Sequence, residues 1–139
     1  MSENNGLKGR QVLVVEDEAM IAMMLEDMLA DLGCSVLGPA HTLESALELA
    51  GQSAVIDVAL LDVNLAGTPV FEVADALRAR QAPMIFSTGY GDVGLRAADK
   101  GVPVLRKPFR AGELEQALHQ ALGLSARANS DQTQSSDRR

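Results

Sequence analysis

The strongest constraint in this chain is an alternation: five short apolar runs, each separated from the next by a stretch with helical spacing. QVLVV (11–15) is β-branched, as suits a strand buried on both faces. Ile21, Met24, Leu25, Met28, Leu29 and Leu32 then recur at steps of three and four, one helical stripe with Gly33 as its stop. SVLG (35–38) reads as a second strand closed by Gly38-Pro39, and Thr42 can cap a helix carrying Leu43, Ala46, Leu47 and Ala50. AVIDVALLD (54–62) is the third strand, NLAGTP a loop, and Val70 to Arg80 a third helix through Val73, Ala74 and Leu77. PMIFS (83–87) is the fourth strand, with Pro83 tolerated at its first residue. A weakly amphipathic helix is expected over Val93 to Ala98 and the fifth strand over VPVLR (102–106). Leu114, Ala117, Leu118, Ala121 and Leu122 mark the last helix.

Strands and helices in strict alternation call for parallel β-α-β units with right-handed crossovers. The expected fold is therefore α/β: a flavodoxin-like, doubly wound (βα)5 unit whose five-stranded parallel sheet runs in the order 2-1-3-4-5. The packed domain is placed at 10–123, between a flexible N-terminal segment (1–9) and a polar, disordered tail (124–139) that has nothing to bury. Its 139 residues suffice for one core without staples. With 12 basic against 19 acidic residues the net charge is −7, which disfavours non-specific binding to nucleic acid or to an anionic membrane. No apolar run approaches the roughly 20 residues that span a bilayer, and the polar start MSENNGLKGR is no signal peptide. Cys34 is the only cysteine, expected to be a buried, inert thiol, so no disulfide framework or thiolate metal cluster arises. These features point to a reducing, cytoplasmic setting.

In open parallel sheets, ligands bind beyond the carboxyl ends of the strands. Here those ends carry Glu16-Asp17-Glu18, Asp62, Thr88 and Lys107. Three acids in one mouth would repel one another and raise each other's pKa. A hard divalent cation removes that repulsion, and Mg2+ (or Mn2+ in its place) favours carboxylates, waters and phosphate oxygens. No GxxxxGK[ST] or GxGxxG cradle is present for a nucleotide. His41 and His119 are placed on helix edges far from the strand ends, which argues against a histidine site. Asp62, following VALL directly, can act as a nucleophile once its charge is neutralised, and so form an aspartyl phosphate. Lys107 supplies a fixed positive charge for phosphoryl oxygens and Thr88 a hydroxyl donor. Each residue alone is more often a turn or a cap. Their joint occurrence at the ends of four strands is the signal.

At these positions VLVVEDE, ALLDVNL, FSTGYG and LRKPF resemble, in order and spacing, the receiver domain of bacterial two-component response regulators, over roughly residues 10 to 123. The resemblance implies a stand-alone receiver, a phosphoprotein that takes a phosphoryl group onto Asp62 from a sensor histidine kinase or a histidine phosphotransfer protein. Asp17 and Asp62 would hold Mg2+ directly, Glu16 would assist through water, and the Asn64 backbone carbonyl would complete the ligands. Lys107 and Thr88 would contact the phosphoryl group, and the Lys107-Pro108 bond would be cis. The chain would be no enzyme beyond its own phosphorylation and dephosphorylation. It would signal by protein contact on the face of its fourth helix, fifth strand and fifth helix, or pass the phosphoryl group on.

Two departures matter. The fifth-strand aromatic of ordinary receivers is Val104 here, and FSTGYG is similar instead to the motif of the FAT GUY receivers. Thr88, Gly89 and Tyr90 would then form the switch, with Tyr90, the only tyrosine, in place of the missing aromatic and shielding the aspartyl phosphate from water. LAGTPVF replaces the usual loop after the phosphorylated Asp. The alternative, a haloacid dehalogenase-like phosphatase, also uses a strand-end Asp with Thr, Lys and Mg2+. It lacks support because Asn64 stands where that class needs a second acid, and no residues remain for a cap. A binding module that has lost phosphorylation is opposed by the complete set Asp17, Asp62, Thr88 and Lys107.

Overall fold

The structure is a computed structural model that describes residues 6–52, 54–89 and 94–124. Its elements, in chain order, are β1 (Gln11–Val15), α1 (Ala19–Asp31), β2 (Ser35–Ala40), α2 (Leu43–Ala50), β3 (Val58–Asp62), β4 (Asn64–Leu65), β5 (Thr68–Pro69), α3 (Phe71–Ala79), β6 (Met84–Thr88), β7 (Val104–Arg106) and α4 (Ala111–Leu122). Five parallel strands form one sheet in the order β2-β1-β3-β6-β7, the expected doubly wound order.

Alternation along the central strands builds two cores. Leu13, Val15, Ala59, Leu61 and Phe86 face one side and pack with Ala46 and Ala50 of α2 and Val73, Ala74 and Leu77 of α3. Val12, Val14, Val58, Leu60 and Ile85 face the other, against Leu25 and Leu29 of α1 and Leu114 and Leu118 of α4. Every residue of β3 is buried: Ala59 and Leu61 join one core, Val58 and Leu60 the other, and Asp62 closes the strand. A fully buried Leu contributes about 2 kcal/mol, which is why these runs must be continuously apolar.

Several boundaries differ from the sequence reading, each for a local reason. The packed unit begins before residue 10, because Leu7 is fully buried and its carbonyl accepts the Cys34 thiol at 3.5 Å. The third strand starts at Val58, not Ala54, because the Asp57 carboxylate takes the Gln11 N–H at 2.7 Å and ends the preceding loop there. NLAGTP is not a plain loop. Asn64–Leu65 pairs antiparallel with Thr68–Pro69 across Ala66 and Gly67, whose φ values of 51° and 93° supply the left-handed turn that a two-residue hairpin needs. In place of the expected helix over Val93 to Ala98, the described residues show one 3-10 turn, Ala97–Asp99. The fifth-strand run 102–106 is strand only over Val104–Arg106. Thr42 caps α2 as expected, its Oγ1 accepting the Ser45 N–H at 3.1 Å. The 124–139 tail, beyond Leu124, lies outside the described residues.

The second strand also runs on past its expected end. Gly38-Pro39 is not a stop but a cis peptide inside β2, which continues to Ala40. Register slips by one residue there, from Leu13↔Leu37 to Val15↔Ala40. Gly38 takes φ 94°, and a Cβ at that position would lie 2.8 Å from the Ala40 nitrogen.

Candidate functional site

The carboxyl ends of β1, β3 and β7 converge on one acidic mouth. Glu16 and Asp17 follow β1, Asp62 ends β3 and Lys107 follows β7. Glu16, Asp17 and Asp62 each place a carboxylate oxygen within 4.8 Å of the others. Lys107 Nζ donates to Asp62 Oδ2 at 2.9 Å and lies 3.1 Å from Glu16 Oε1. Asp62 Oδ1 accepts the Asn64 N–H at 3.1 Å, and Glu16 Oε2 accepts the Glu18 N–H at the same distance. Glu16 Oε1 is buried and, for all its closeness to the lysine, has no hydrogen-bond donor aimed at it. An orphaned, buried carboxylate oxygen beside two other acids is a costly arrangement in an apolar fold.

The mouth is short of positive charge. Burial, with a smaller contribution from Glu16, pushes the Asp62 pKa up to about 7 against the opposing pull of Lys107 and the Asn64 N–H. Mutual repulsion among the acids, the cause expected from sequence, is thus the lesser one. Burial acts to lower the Lys107 pKa, but hydrogen bonding and attraction to Asp62 and Glu16 outweigh it, and the net shift is upward. With two buried acids against one lysine, the lysine keeps its proton and Asp62 is the group held partly neutral.

The donor set fits a hard divalent cation. Carboxylate oxygens converge, one of them lacks a donor, and no sulfur or imidazole ligand joins the cluster among the described residues. Asn64 stands next to Asp62 with its side-chain oxygen occupied by the Gly67 N–H at 2.6 Å, which leaves its backbone carbonyl as the ligand it can offer. The hairpin of β4 and β5 therefore holds Asn64 in place.

Thr88 ends β6, and its carbonyl accepts the Lys107 N–H at 2.7 Å, so Thr88 and Lys107 sit on adjacent strand ends. Lys107-Pro108 is cis, as the resemblance implies. Val104 is 45% exposed, an open position where an aromatic is absent. Tyr90 and its expected role in the switch lie outside the described residues, unlike Thr88 and Gly89. Cys34 is buried, and burial raises its thiol pKa, in keeping with an inert group.

Sequence reasoning missed one neighbour of the mouth. His41 is not on a helix edge but directly follows β2, and its Nδ1 lies 2.9 Å from the Glu16 carbonyl oxygen. The signal was present in Gly38-Pro39, had it been read as a bulge within a strand. A second group, Asp75, Arg78, Arg96 and Asp99, was also missed and lies in α3 and the β6–β7 connection.

Comparison with known proteins is consistent with this geometry. The family model of the response regulator receiver domain matches residues 12–119. The phyllosphere-induced regulator PhyR of Methylorubrum extorquens is 33% identical over 116 residues, which make up 81% of this chain and 43% of that protein. The chain thus spans about half the length of the curated relatives it matches. The solution structure of SdrG from Sphingomonas melonis Fr1 superposes with a TM-score of 0.74 at 41% identity, covering 88% of this chain and 99% of that one. The BeF3-activated conformation of SdrG, from Pseudomonas melonis Fr1, gives a TM-score of 0.67 at 43% identity, covering 81% and 95%. No helix among the described residues is long and apolar enough to cross a membrane.

Proposed function

This chain belongs to the response regulator receiver domain family, and on that premise we propose that it accepts a phosphoryl group on Asp62 from a histidine kinase or histidine phosphotransfer protein. The observation that carries the reading is the Asp62 carboxylate, fixed at the end of a fully buried strand and held 2.9 Å from the Lys107 ammonium. In the transfer, the phosphorus–nitrogen bond of the donor's phosphohistidine breaks and a bond from an Asp62 oxygen to phosphorus forms. The imidazole keeps the electron pair and takes up a proton. Asp17 and Asp62, with the Asn64 carbonyl and with Glu16 through water, would hold Mg2+, which when bound offsets the acids' repulsion and polarises phosphoryl oxygens.

The remaining chemistry belongs to the chain itself. Lys107 moves from balancing two carboxylates to pairing with the phosphoryl oxygens, which needs only a small displacement because it already sits between Glu16 and Asp62. Thr88 offers its hydroxyl to the same group, and Gly89 and Tyr90 move with it as the switch. The signal leaves through a protein partner in the cytoplasm, on the face formed by the β6–β7 connection, β7 and α4. The chain does no other catalysis than its own phosphorylation and dephosphorylation. The test is transfer of label from a phosphorylated histidine donor, alongside binding of beryllofluoride with Mg2+. Wild type should take up both, and Asp62→Ala should lose at least a hundredfold in each. Equal labelling of the variant would overturn the assignment.

A further inference from the structure

We infer that His41 is a positioning residue for the metal-binding carboxylates, acting through the backbone of Glu16; this rests on the reading of the mouth as a Mg2+ site. The Glu16 carbonyl can only accept, so the 2.9 Å contact requires that His41 Nδ1 carry the proton and donate it. From the same strand, the Ala40 carbonyl accepts the Glu16 N–H at 2.9 Å. Both backbone groups of Glu16 are therefore held by consecutive residues of β2 and its exit.

This double hold depends on the bulge at Gly38-Pro39. The extra residue shifts pairing from Leu13↔Leu37 to Val15↔Ala40, which sets Ala40 and His41 back by one position, beside the end of β1. Only a glycine fits the bulge, since a Cβ would meet the Ala40 nitrogen at 2.8 Å and the Val14 carbonyl oxygen at 3.2 Å. The segment that follows β1 has no strand pairing of its own. The main chain at Glu16 is therefore held by this pair of hydrogen bonds, while its carboxylate meets the Glu18 N–H and Lys107. The His41 ring is exposed, so its contribution to the core is small and its removal opens no cavity. Partners that orient metal ligands from outside the coordination sphere commonly change metal affinity by about 10- to 100-fold. His41 acts one step further away, through a main chain, and belongs at the low end.

The experiment is calorimetric titration of the full chain with MgCl2, on wild type, His41→Ala and His41→Asn, with melting in EDTA as control. Asparagine keeps an N–H donor at the place of Nδ1. The expected result is a Mg2+ dissociation constant raised about tenfold in His41→Ala and restored to within about threefold of wild type in His41→Asn, with unchanged melting in EDTA. Wild-type affinity in His41→Ala overturns the inference while leaving the metal site intact. Equal weakening in both variants overturns it too, since the donor would then not matter, as does a fall in EDTA melting that accompanies the weakening. Absence of Mg2+ binding by the wild type would sink the metal reading, and this inference with it.

Discussion

Two groups of acids in this chain are built alike in composition but opposite in charge balance. In the mouth, Glu16, Asp17 and Asp62 share a single ammonium, Lys107. In the second group, Asp99 and Asp75 meet two guanidinium groups. Asp99 is fully buried, with Arg78 at 2.7 Å and Arg96 at 2.9 Å, while the more exposed Asp75 is held by Arg96 at 2.9 Å. The pKa shifts follow the balance. Burial raises Asp62, whereas hydrogen bonds from Arg96 lower both Asp99 and Asp75. Matched charge makes a brace that ties α3 to the β6–β7 connection. Unmatched charge leaves a site that costs stability, a cost that the proposed cation or phosphoryl group would relieve.

The largest expected effect tests that cost through pH. A carboxyl whose folded pKa lies near 7 and whose unfolded value is near 3.8 favours the fold when protonated. Its contribution is fully present below about pH 4 and is lost as pH rises through 7, a change of at most about 4 kcal/mol. In EDTA, Asp62→Asn should therefore melt with the wild type near pH 4 and above it at pH 8. Adding Mg2+ at pH 8 should narrow the gap by stabilising the wild type alone. Denaturant titrations at the two pH values measure this, and equal stability at pH 8 in EDTA would remove the strain assigned to the mouth.

The brace should respond with the opposite sign. Asp99 has a lowered pKa, so its contribution is present above its unfolded value and is lost as pH falls below about 4. Asp99→Ala removes the buried partner of two half-exposed arginines that keep Asp75, and should cost about 1 to 2 kcal/mol at pH 7 by urea denaturation, with the cost shrinking in acid. Asp75→Ala, whose side chain is 58% exposed and whose ion pairs water screens, should cost far less. Similar losses for the two variants would mean that burial does not separate them.

What could be read in the sequence divides along the same line. The mouth was legible because its charged residues stand at the ends of three apolar strands, and the parallel topology brings strand ends together without further information. Glu16, Asp17, Asp62 and Lys107 follow from that rule alone. The brace was not, because Asp75 and Arg96 are 21 residues apart and meet only through the packing of α3 against the chain after β6. An Arg96 and Asp99 spaced three apart read as an ordinary solvated pair. The β2 bulge was hidden for another reason: Gly-Pro commonly marks a turn, and only tertiary pairing with β1 keeps this strand going.

The smallest expected effect is a coupling where the brace meets the core. The Arg96 guanidinium lies 4.5 Å from the centre of the Phe71 ring, and Phe71 meets Phe86 edge-on at 6.4 Å and 87°. Phe86 lies two residues before Thr88 on β6, so the brace abuts the strand that ends in the proposed switch. Phe71→Leu keeps an apolar side chain at the start of α3 but removes the ring face and the edge contact. Each is worth about 1 kcal/mol or less, so the variant should lose about 1 to 2 kcal/mol in urea. Combined with Arg96→Gln, the losses should be less than additive by about 0.5 kcal/mol, because the cation–π contact is counted once in each single change. Strict additivity in that double-mutant cycle would show that Arg96 holds Asp99 and Asp75 alone and that Phe71 serves only the core.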